Sequence, residues 1–165
     1  MKKRILFYLL PLILIGCSST QDLYYWGPSK KGVYAYDANL YEAYKRQTPK
    51  SLCILICTYD DIVCHPTGTT LLPPPGICAE YGYILTQQET MQVFAENATN
   101  KQKDQLSRSP YGSDPQQGAI KLFQQEMKFY PESVPFLRPF VERLTGQKIE
   151  IPALDDNTGK EANYE

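Results

Sequence analysis

Four cysteines form the densest group of potentially reactive side chains, namely Cys53, Cys57, Cys64 and Cys78. Thiols at this density form disulfides, bind zinc or carry out thiol–disulfide exchange. The spacings are C-x3-C, C-x6-C and C-x13-C, whereas zinc knuckles use paired C-x2-C and redox motifs use C-x-x-C. The even number favours two structural disulfides with three possible pairings. We prefer Cys57–Cys64 enclosed by Cys53–Cys78.

His65 is the single histidine of the chain and stands between Cys64 and Pro66. In the zinc alternative it would be an additional ligand. In the thiol-redox alternative it would act beside the Cys53 and Cys57 pair. Its neighbours indicate a turn residue, and no nucleophile, base and orienting group are visible together in the sequence. We therefore predict that the protein is not an enzyme and that it has no metal or other cofactor.

The N-terminal segment has the composition of an export signal. Residues 2–4 are basic, residues 5–15 are apolar, and the run is too short to span a bilayer, which takes about 20 residues. It ends in Leu14-Ile15-Gly16-Cys17, which resembles the lipobox of bacterial lipoproteins. The alternative is an ordinary signal peptide in which Cys17 occurs by chance.

The lipobox resemblance implies a division of the chain. Residues 1–16 are predicted to be a lipoprotein signal peptide, and residues 17–22 a tether lipidated at Cys17. Ser18 resembles the residue found there in lipoproteins sorted to the outer membrane. We therefore expect a lipid-anchored protein in the bacterial cell envelope, facing the periplasm. A net charge of −1 and a pI near 5.9 argue against nucleic acid as a partner.

Residues 23–146 are predicted to form one small, mainly α domain with an irregular middle segment stapled by the disulfides. A short helix is expected from Asn39 to before Pro49, because Asn39 and Glu42 have the spacing of a capping box. Residues 52–63 suit a strand or a buried helix. A longer helix is expected from residue 76 or 77 to Ala98, with Gly82 allowing close approach of another helix.

The C-terminal half shows clearer boundaries. Residues 100–113 are polar and indicate a loop, and Asp114-Pro115 is typical of a helix start. That helix should end at Pro131. Ser133 is expected to cap a last helix ending at Gly146 and kinked at Pro139, with Phe136 and Leu144 among its inward residues. Residues 147–165 are predicted to be a flexible acidic tail.

Two local patterns resemble halves of a tetratricopeptide repeat. Ala119-x3-Phe123-x7-Pro131 has the spacing of its second helix. Tyr81-Gly82-x2-Leu85 corresponds to its first helix, with an insertion of about 25 residues between the halves. The sequence therefore predicts a single tetratricopeptide-like helical hairpin.

The chain as a whole resembles a family of short bacterial lipoproteins catalogued as domain of unknown function 4810. The resemblance is carried by three segments, Tyr24-Tyr25-Trp26-Gly27, Pro74-Pro75-Gly76…Ala79-Glu80-Tyr81-Gly82-Tyr83, and Ala119…Phe123…Glu126…Tyr130-Pro131-Glu132-Ser133…Phe136. It departs from the family in the four cysteines, in an enlarged loop after Thr86 and in Pro139. The family has no assigned catalytic residues, and its members are often encoded beside a curli-secretion-pore-like lipoprotein.

The resemblance implies a periplasm-facing assembly or adaptor role, with envelope lipoproteins or another copy of the chain as partners. Candidate interaction residues are Tyr24, Tyr25, Trp26, Tyr81 and Tyr83. The first three could instead lie at the membrane interface or pack onto the domain, and we favour packing. Cell-wall or glycan binding through the many tyrosines is the alternative function. A periplasmic thiol-redox role is a further alternative function.

Overall fold

The computed structural model describes residues 22–146 and residue 148. The predicted signal peptide, the predicted lipidation site Cys17 and the predicted tether up to residue 21 lie outside these residues. The acidic tail also lies outside them, apart from Lys148. In the described part the chain is mainly helical, which confirms the predicted fold class.

The described chain contains one short hairpin and seven α-helices. The hairpin is antiparallel, with Ser29 opposite Tyr34 and Lys30 opposite Val33. A 3₁₀ turn over Pro131–Ser133 joins the last two helices. The bounds of the strands and helices are β1 Ser29–Lys30, β2 Val33–Tyr34, α1 Ala35–Arg46, α2 Pro49–Cys64, α3 Ile77–Thr86, α4 Gln88–Asn97, α5 Asn100–Arg108, α6 Pro115–Phe129 and α7 Val134–Thr145.

Helix α2 is the centre of the fold and contacts α1, α3, α4 and α5. Thr48 caps its N-terminus in a reciprocal capping box with Ser51, and Pro49 occupies the first turn. These signals resolve the ambiguity of residues 52–63 in favour of a buried helix. The helix buries apolar residues on several sides, among them Cys53, Leu55, Ile56, Tyr59, Ile62 and Val63.

Helices α3 and α6 pack closely because α3 carries a glycine at the crossing. A Cβ on Gly82 would lie 3.1 Å from the Phe123 ring and 3.2 Å from the Ala119 carbonyl oxygen. The predicted role of Gly82 is therefore confirmed. The two tetratricopeptide half-motifs lie on these packed helices, with α4 and α5 between them along the chain. The tetratricopeptide likeness itself is not confirmed and stays a prediction.

A buried carboxylate from α6 holds the start of α3. The N–H of Gly76 donates to Glu126 Oε1 at 2.6 Å, and Glu126 is only 2% exposed. Desolvation raises the pKa of Glu126, while the backbone N–H groups of Gly76, Ala79 and Cys78 oppose that rise. The N-cap residue of α3 is Gly76, which has no side chain that could accept a hydrogen bond from the first turn. The long-range carboxylate supplies that acceptor instead.

The predicted long helix over residues 76–98 is wrong, because it divides at Gln87. That residue has extended backbone angles and separates α3 from α4. The predicted loop over residues 100–113 is also wrong in its first part, which is α5. Thr99 and Gln102 form a capping box there, and Leu106 is buried against the core. A single buried residue is too weak a periodic signal to reveal a helix this polar.

Helix α1 begins at Ala35 rather than at Asn39. The Asn39 side chain does not cap a helix but donates to Thr58 Oγ1 at 2.8 Å, which links α1 to α2. At the other end of the chain, Pro139 lies inside α7, which continues through it. Ser133 makes no side-chain cap for α7, so that prediction is wrong.

Two of the predicted boundaries are confirmed. Asp114 Oδ1 accepts from the backbone N–H groups of Gln116 and Gln117 at 3.1 and 3.2 Å, and Pro115 opens α6. Gly146 ends α7 with a φ of +68°. Both boundaries are set by interactions between residues that are close together in the sequence, so the sequence alone is enough to predict them.

Candidate functional site

The four predicted disulfide cysteines are all free thiols in the structure. Cys53, Cys57 and Cys64 share helix α2, and Cys78 lies on α3. The predicted Cys57–Cys64 bridge is wrong because seven residues of α-helix rise about 10 Å, beyond the usual Cα separation of about 4.4–6.8 Å. The enclosing Cys53–Cys78 bridge is also absent, and the middle segment is a helix rather than an irregular, stapled loop.

The environment of the thiols does not suit redox chemistry. Burial raises the pKa of Cys57 to about 12, with smaller contributions from the nearby Asp60 and Cys53. Burial likewise raises the pKa of Cys64 to about 11 and increases those of Cys53 and Cys78. Reactive cysteines have a lowered pKa, because the thiolate is the nucleophile. Cys53 and Cys78 therefore behave as small apolar core residues, and Cys57 and Cys64 are half-buried beside them.

We expect alkylation to distinguish these thiols from reactive ones. At pH 8 the thiolate fraction of Cys64 should be more than about a hundredfold below that of a free cysteine, whose pKa is about 8.5. Iodoacetamide should therefore label the native protein very slowly. After denaturation without reductant it should label all four of these cysteines, as located by peptide mass spectrometry, which keeps them apart from Cys17. Rapid labelling of one of the four would favour the redox alternative, and fewer than four labelled after denaturation would favour disulfides.

His65 lies at the exposed end of α2, where its Nδ1 is 3.3 Å from Asp61 Oδ1. Asp61 in turn accepts a hydrogen bond from the Tyr25 hydroxyl at 2.9 Å. Across residues 22–146 and 148, no three His, Cys, Asp or Glu side chains are grouped as metal ligands. The zinc alternative therefore gains no support from the arrangement of His65 and the cysteines.

The N-terminal aromatic residues pack onto the domain, as we favoured. Trp26 and Tyr36 have ring centroids 5.3 Å apart, and Tyr25 is tied to Asp61. Tyr24, Tyr25 and Trp26 are all partly buried. Trp26 and Tyr25 fix the start of the domain against α1 and α2, respectively.

A row of aromatic rings continues from Trp26 into the core. Consecutive centroids from Trp26 through Tyr36, Tyr59 and Tyr81 to Tyr111 are 5.3, 5.8, 5.9 and 6.3 Å apart. We call this row the aromatic ladder. Its fourth member is 0% exposed, so the prediction that Tyr81 is a surface contact is wrong.

The buried Asp60 and the exposed Glu80 accept hydrogen bonds from three hydroxyl groups of the ladder. Tyr36 and Tyr59 donate to Glu80 Oε2 at 2.8 and 2.7 Å, and Tyr81 donates to Asp60 Oδ1 at 3.1 Å. Burial together with these bonds raises the pKa of each of the three phenols. The hydroxyls are therefore neutral donors at physiological pH and have a structural role.

One exposed apolar surface of the domain lies on α3 and α7. Phe136 is 76% exposed, Tyr83 is 47% exposed and Leu144 is 39% exposed. The Phe136 and Phe140 rings are within 4° of parallel with centroids 6.5 Å apart, and Tyr83 lies 6.2 Å from Phe140. We call Tyr83, Phe136, Phe140 and Leu144 the aromatic face. Of the five predicted interaction residues, only Tyr83 is exposed.

Sequence reasoning missed this face because it assigned Phe136 and Leu144 to the core. Leu137 and Val141 take the inward positions of α7 and are 4% and 0% exposed. Phe136 and Phe140 form a second stripe at a four-residue spacing beside the first one. A single helix cannot bury two apolar stripes against one neighbouring helix. The presence of two stripes on α7 was therefore the signal in the sequence that one of them would be exposed.

A second partly apolar surface lies between α1 and α2. Leu40, Ala43, Leu52 and Ile84 line a cavity of about 300 Å³ with Tyr44 at its edge. Tyr44 is 74% exposed, and Tyr41 on the same helix is 60% exposed. The Tyr41 ring has the ammonium of Lys45 over one face, 5.2 Å from its centroid, so Tyr44 is the more open of the two rings.

Comparisons of the chain with protein-family models, with curated proteins and with solved structures find no match. The resemblance to the lipoprotein family therefore stays a prediction. Within the described ranges, none of the helices combines the length and the apolar character needed to cross a bilayer.

Proposed function

We propose that the protein is a non-enzymatic lipoprotein of the bacterial outer membrane that serves as a periplasm-facing assembly or adaptor module. The lipobox ending at Cys17 and the family resemblance support the location. The observation that carries the adaptor role is the aromatic face. Its partner would be another envelope lipoprotein, including the secretion-pore-like class, or a second copy of this chain.

The aromatic face has the features of a protein-binding surface. Large exposed apolar patches mark interaction sites on soluble domains, and aromatic side chains dominate the energetics of such contacts. Phe140 packs edge-on against the buried Phe123 at 6.4 Å, which holds the exposed rings in place. A partner would therefore meet a surface that is already ordered, which lowers the entropic cost of binding.

Crosslinking in intact cells followed by mass spectrometry tests the adaptor role. Phe136→Ser should reduce the yield of crosslinked partner at least about tenfold, since central interface aromatics contribute about 2 kcal/mol or more. Tyr44→Ser is the matched control, because it removes an equally exposed ring on α1. Equal yields from both variants, or an uncrosslinked monomer in the native cells, would overturn the proposal.

Cell-wall or glycan binding is the second candidate, favoured by the exposed Tyr44 that lines the α1–α2 cavity. Exposed phenol rings stack on the apolar faces of sugars. In a peptidoglycan sedimentation assay, Tyr44→Ser should then release the protein into the supernatant while Phe136→Ser leaves it bound. The raised pKa values of the four thiols give the redox alternative no comparable support.

A further inference from the structure

The first described residues of the domain are fixed by hydrogen bonds. The N–H of Thr69 donates to the Asp22 carbonyl oxygen at 3.1 Å, and the N–H of Thr70 donates to that of Leu23 at 3.2 Å. The Tyr34 hydroxyl also donates to Asp22 Oδ2 at 2.9 Å. The chain is therefore held to the domain from Asp22 onward, between the hairpin and the loop that follows α2.

Gly68 makes this attachment possible. A Cβ at Gly68 would lie 2.5 Å from the Leu23 carbonyl oxygen and 2.6 Å from the Tyr24 Cα. Any larger residue would push the N-terminal segment off the loop. The position where the chain leaves the domain is thus determined by close packing as well as by hydrogen bonds.

The distance from this point to the predicted lipid is short. Cys17 lies five positions before Asp22, and five residues of fully extended chain span at most about 18 Å. If Cys17 is acylated, Asp22 must lie within that distance of the lipid surface. This step rests on the proposed function, because it uses the lipidation of Cys17.

The surface around Asp22 carries exposed aliphatic side chains. Leu23 is 59% exposed, Leu71 is 68% exposed and Val33 at the hairpin is 49% exposed. Leu71 also has a φ of +54°, a left-handed conformation in which leucine is rare. Leu71 is therefore exposed, does not contribute to the core, and occupies a turn position where glycine or asparagine would be less strained.

The charges near this surface are mixed. Lys30 and Lys31 lie at the hairpin, and Lys31 has a φ of +55°. Asp22 and Asp37 both lie near Tyr34 and raise its pKa. Because these charges offset each other, the aliphatic residues give the main attraction, while the lysines complement phosphate groups.

We propose that the end of the domain formed by Leu23, the hairpin residues 30–33 and Leu71 lies against an anionic phospholipid surface once Cys17 anchors the chain. We call this end the tether face. The short tether brings it to the membrane, and its leucines enter the interfacial layer. The anchor then sets the orientation of the domain as well as its location.

Tryptophan quenching by brominated lipids tests the orientation. The full lipidated chain would be purified with detergent, its N-terminal peptide weighed, and the protein reconstituted into phosphatidylethanolamine–phosphatidylglycerol vesicles. In a Trp26→Phe background, Leu71→Trp probes the tether face and Phe136→Trp is the matched control on α7. Quenching should be at least about threefold greater for Leu71→Trp, because interfacial side chains reach about 5–10 Å into the headgroup region.

Equal quenching, or greater quenching of Phe136→Trp, would overturn the proposed orientation. Hydroxyl-radical labelling of the unsubstituted protein gives a second readout in case a variant misfolds. Leu23 and Leu71 should be protected on vesicles relative to a soluble Cys17→Ser form, while Phe136 should not. An N-terminal peptide without acyl mass would refute the lipoprotein proposal itself, whereas an acylated peptide with an unprotected Leu71 would refute only the orientation.

Discussion

The proposed lipid anchor predicts that Cys17→Ser abolishes palmitate incorporation and removes the protein from the outer-membrane fraction. A serine oxygen cannot form the thioether that carries the diacylglycerol, and without lipid the tether has no hold on the bilayer. Each buried CH₂ contributes about 0.8 kcal/mol, so the loss of several acyl chains changes membrane partitioning by many orders of magnitude. The measurement combines metabolic palmitate labelling with membrane fractionation.

The neighbouring residue provides the control for this substitution. Ser18→Ala leaves the thiol in place and should retain both the label and the outer-membrane location. The prediction fails if the native protein takes up no palmitate. It also fails if Cys17→Ser changes neither processing nor fractionation, since residues 1–16 would then act as an ordinary signal peptide or not be removed.

Glu126→Ala should lower the free energy of unfolding by about 2–4 kcal/mol. The substitution leaves the half-buried N–H of Gly76 without its acceptor and opens a cavity where the carboxylate had been. Because α3 packs against α6, losing its N-terminal cap weakens the main helix pair. Urea unfolding followed by circular dichroism measures the change. Lys121→Ala on the same helix is the control and should stay within about 0.5 kcal/mol of the native protein.

Glu126→Gln separates the role of the charge from that of the hydrogen bond. The amide oxygen can still accept from Gly76, but the side chain no longer ionises. Burial raises the pKa of Glu126 above its ordinary value of 4.5, so the folded state binds this proton more tightly than the unfolded state does. Ionisation therefore costs stability as pH rises from 4.5 through the folded pKa.

The pH dependence follows from that sign. Stability of Glu126→Gln relative to the native protein should increase as pH rises across this window and then level off. Other titrating groups are common to both proteins and cancel in the difference. A difference that stays constant from pH 4 to pH 7, or that declines, would show that the carboxylate is not held in a desolvated site.

Local chemistry made part of the fold predictable. Asp114-Pro115 and Gly146 mark helix ends because their caps use neighbouring backbone groups. The cap of α3 could not be found this way, since its acceptor, Glu126, is 50 residues away in sequence. The cysteine count suggested disulfides, yet Cys57 and Cys64 lie on one continuous helix, which keeps these two predicted partners apart.

The candidate surfaces were less predictable than the helices. Both Tyr81 and Tyr83 follow from the same motif, but only the fold shows that the first is buried and the second exposed. From the sequence, Phe136 is predicted to be a core residue. In the structure, Leu137 and Val141 occupy the inward positions of α7 instead. Whether a large apolar residue is exposed depends on which other residues occupy the positions in the core. A single sequence does not specify that choice.

The aromatic ladder also gives the protein an optical signature. Trp26 is the single tryptophan of the chain, and it stands at one end of a row of tyrosines whose rings are 5.3–6.3 Å apart. Light absorbed by those phenols is passed by resonance transfer to the indole, so emission excited at tyrosine wavelengths comes largely from Trp26. Detachment of the N-terminal segment would restore tyrosine emission while the helices remain intact, which separates that event from global unfolding in one spectrum.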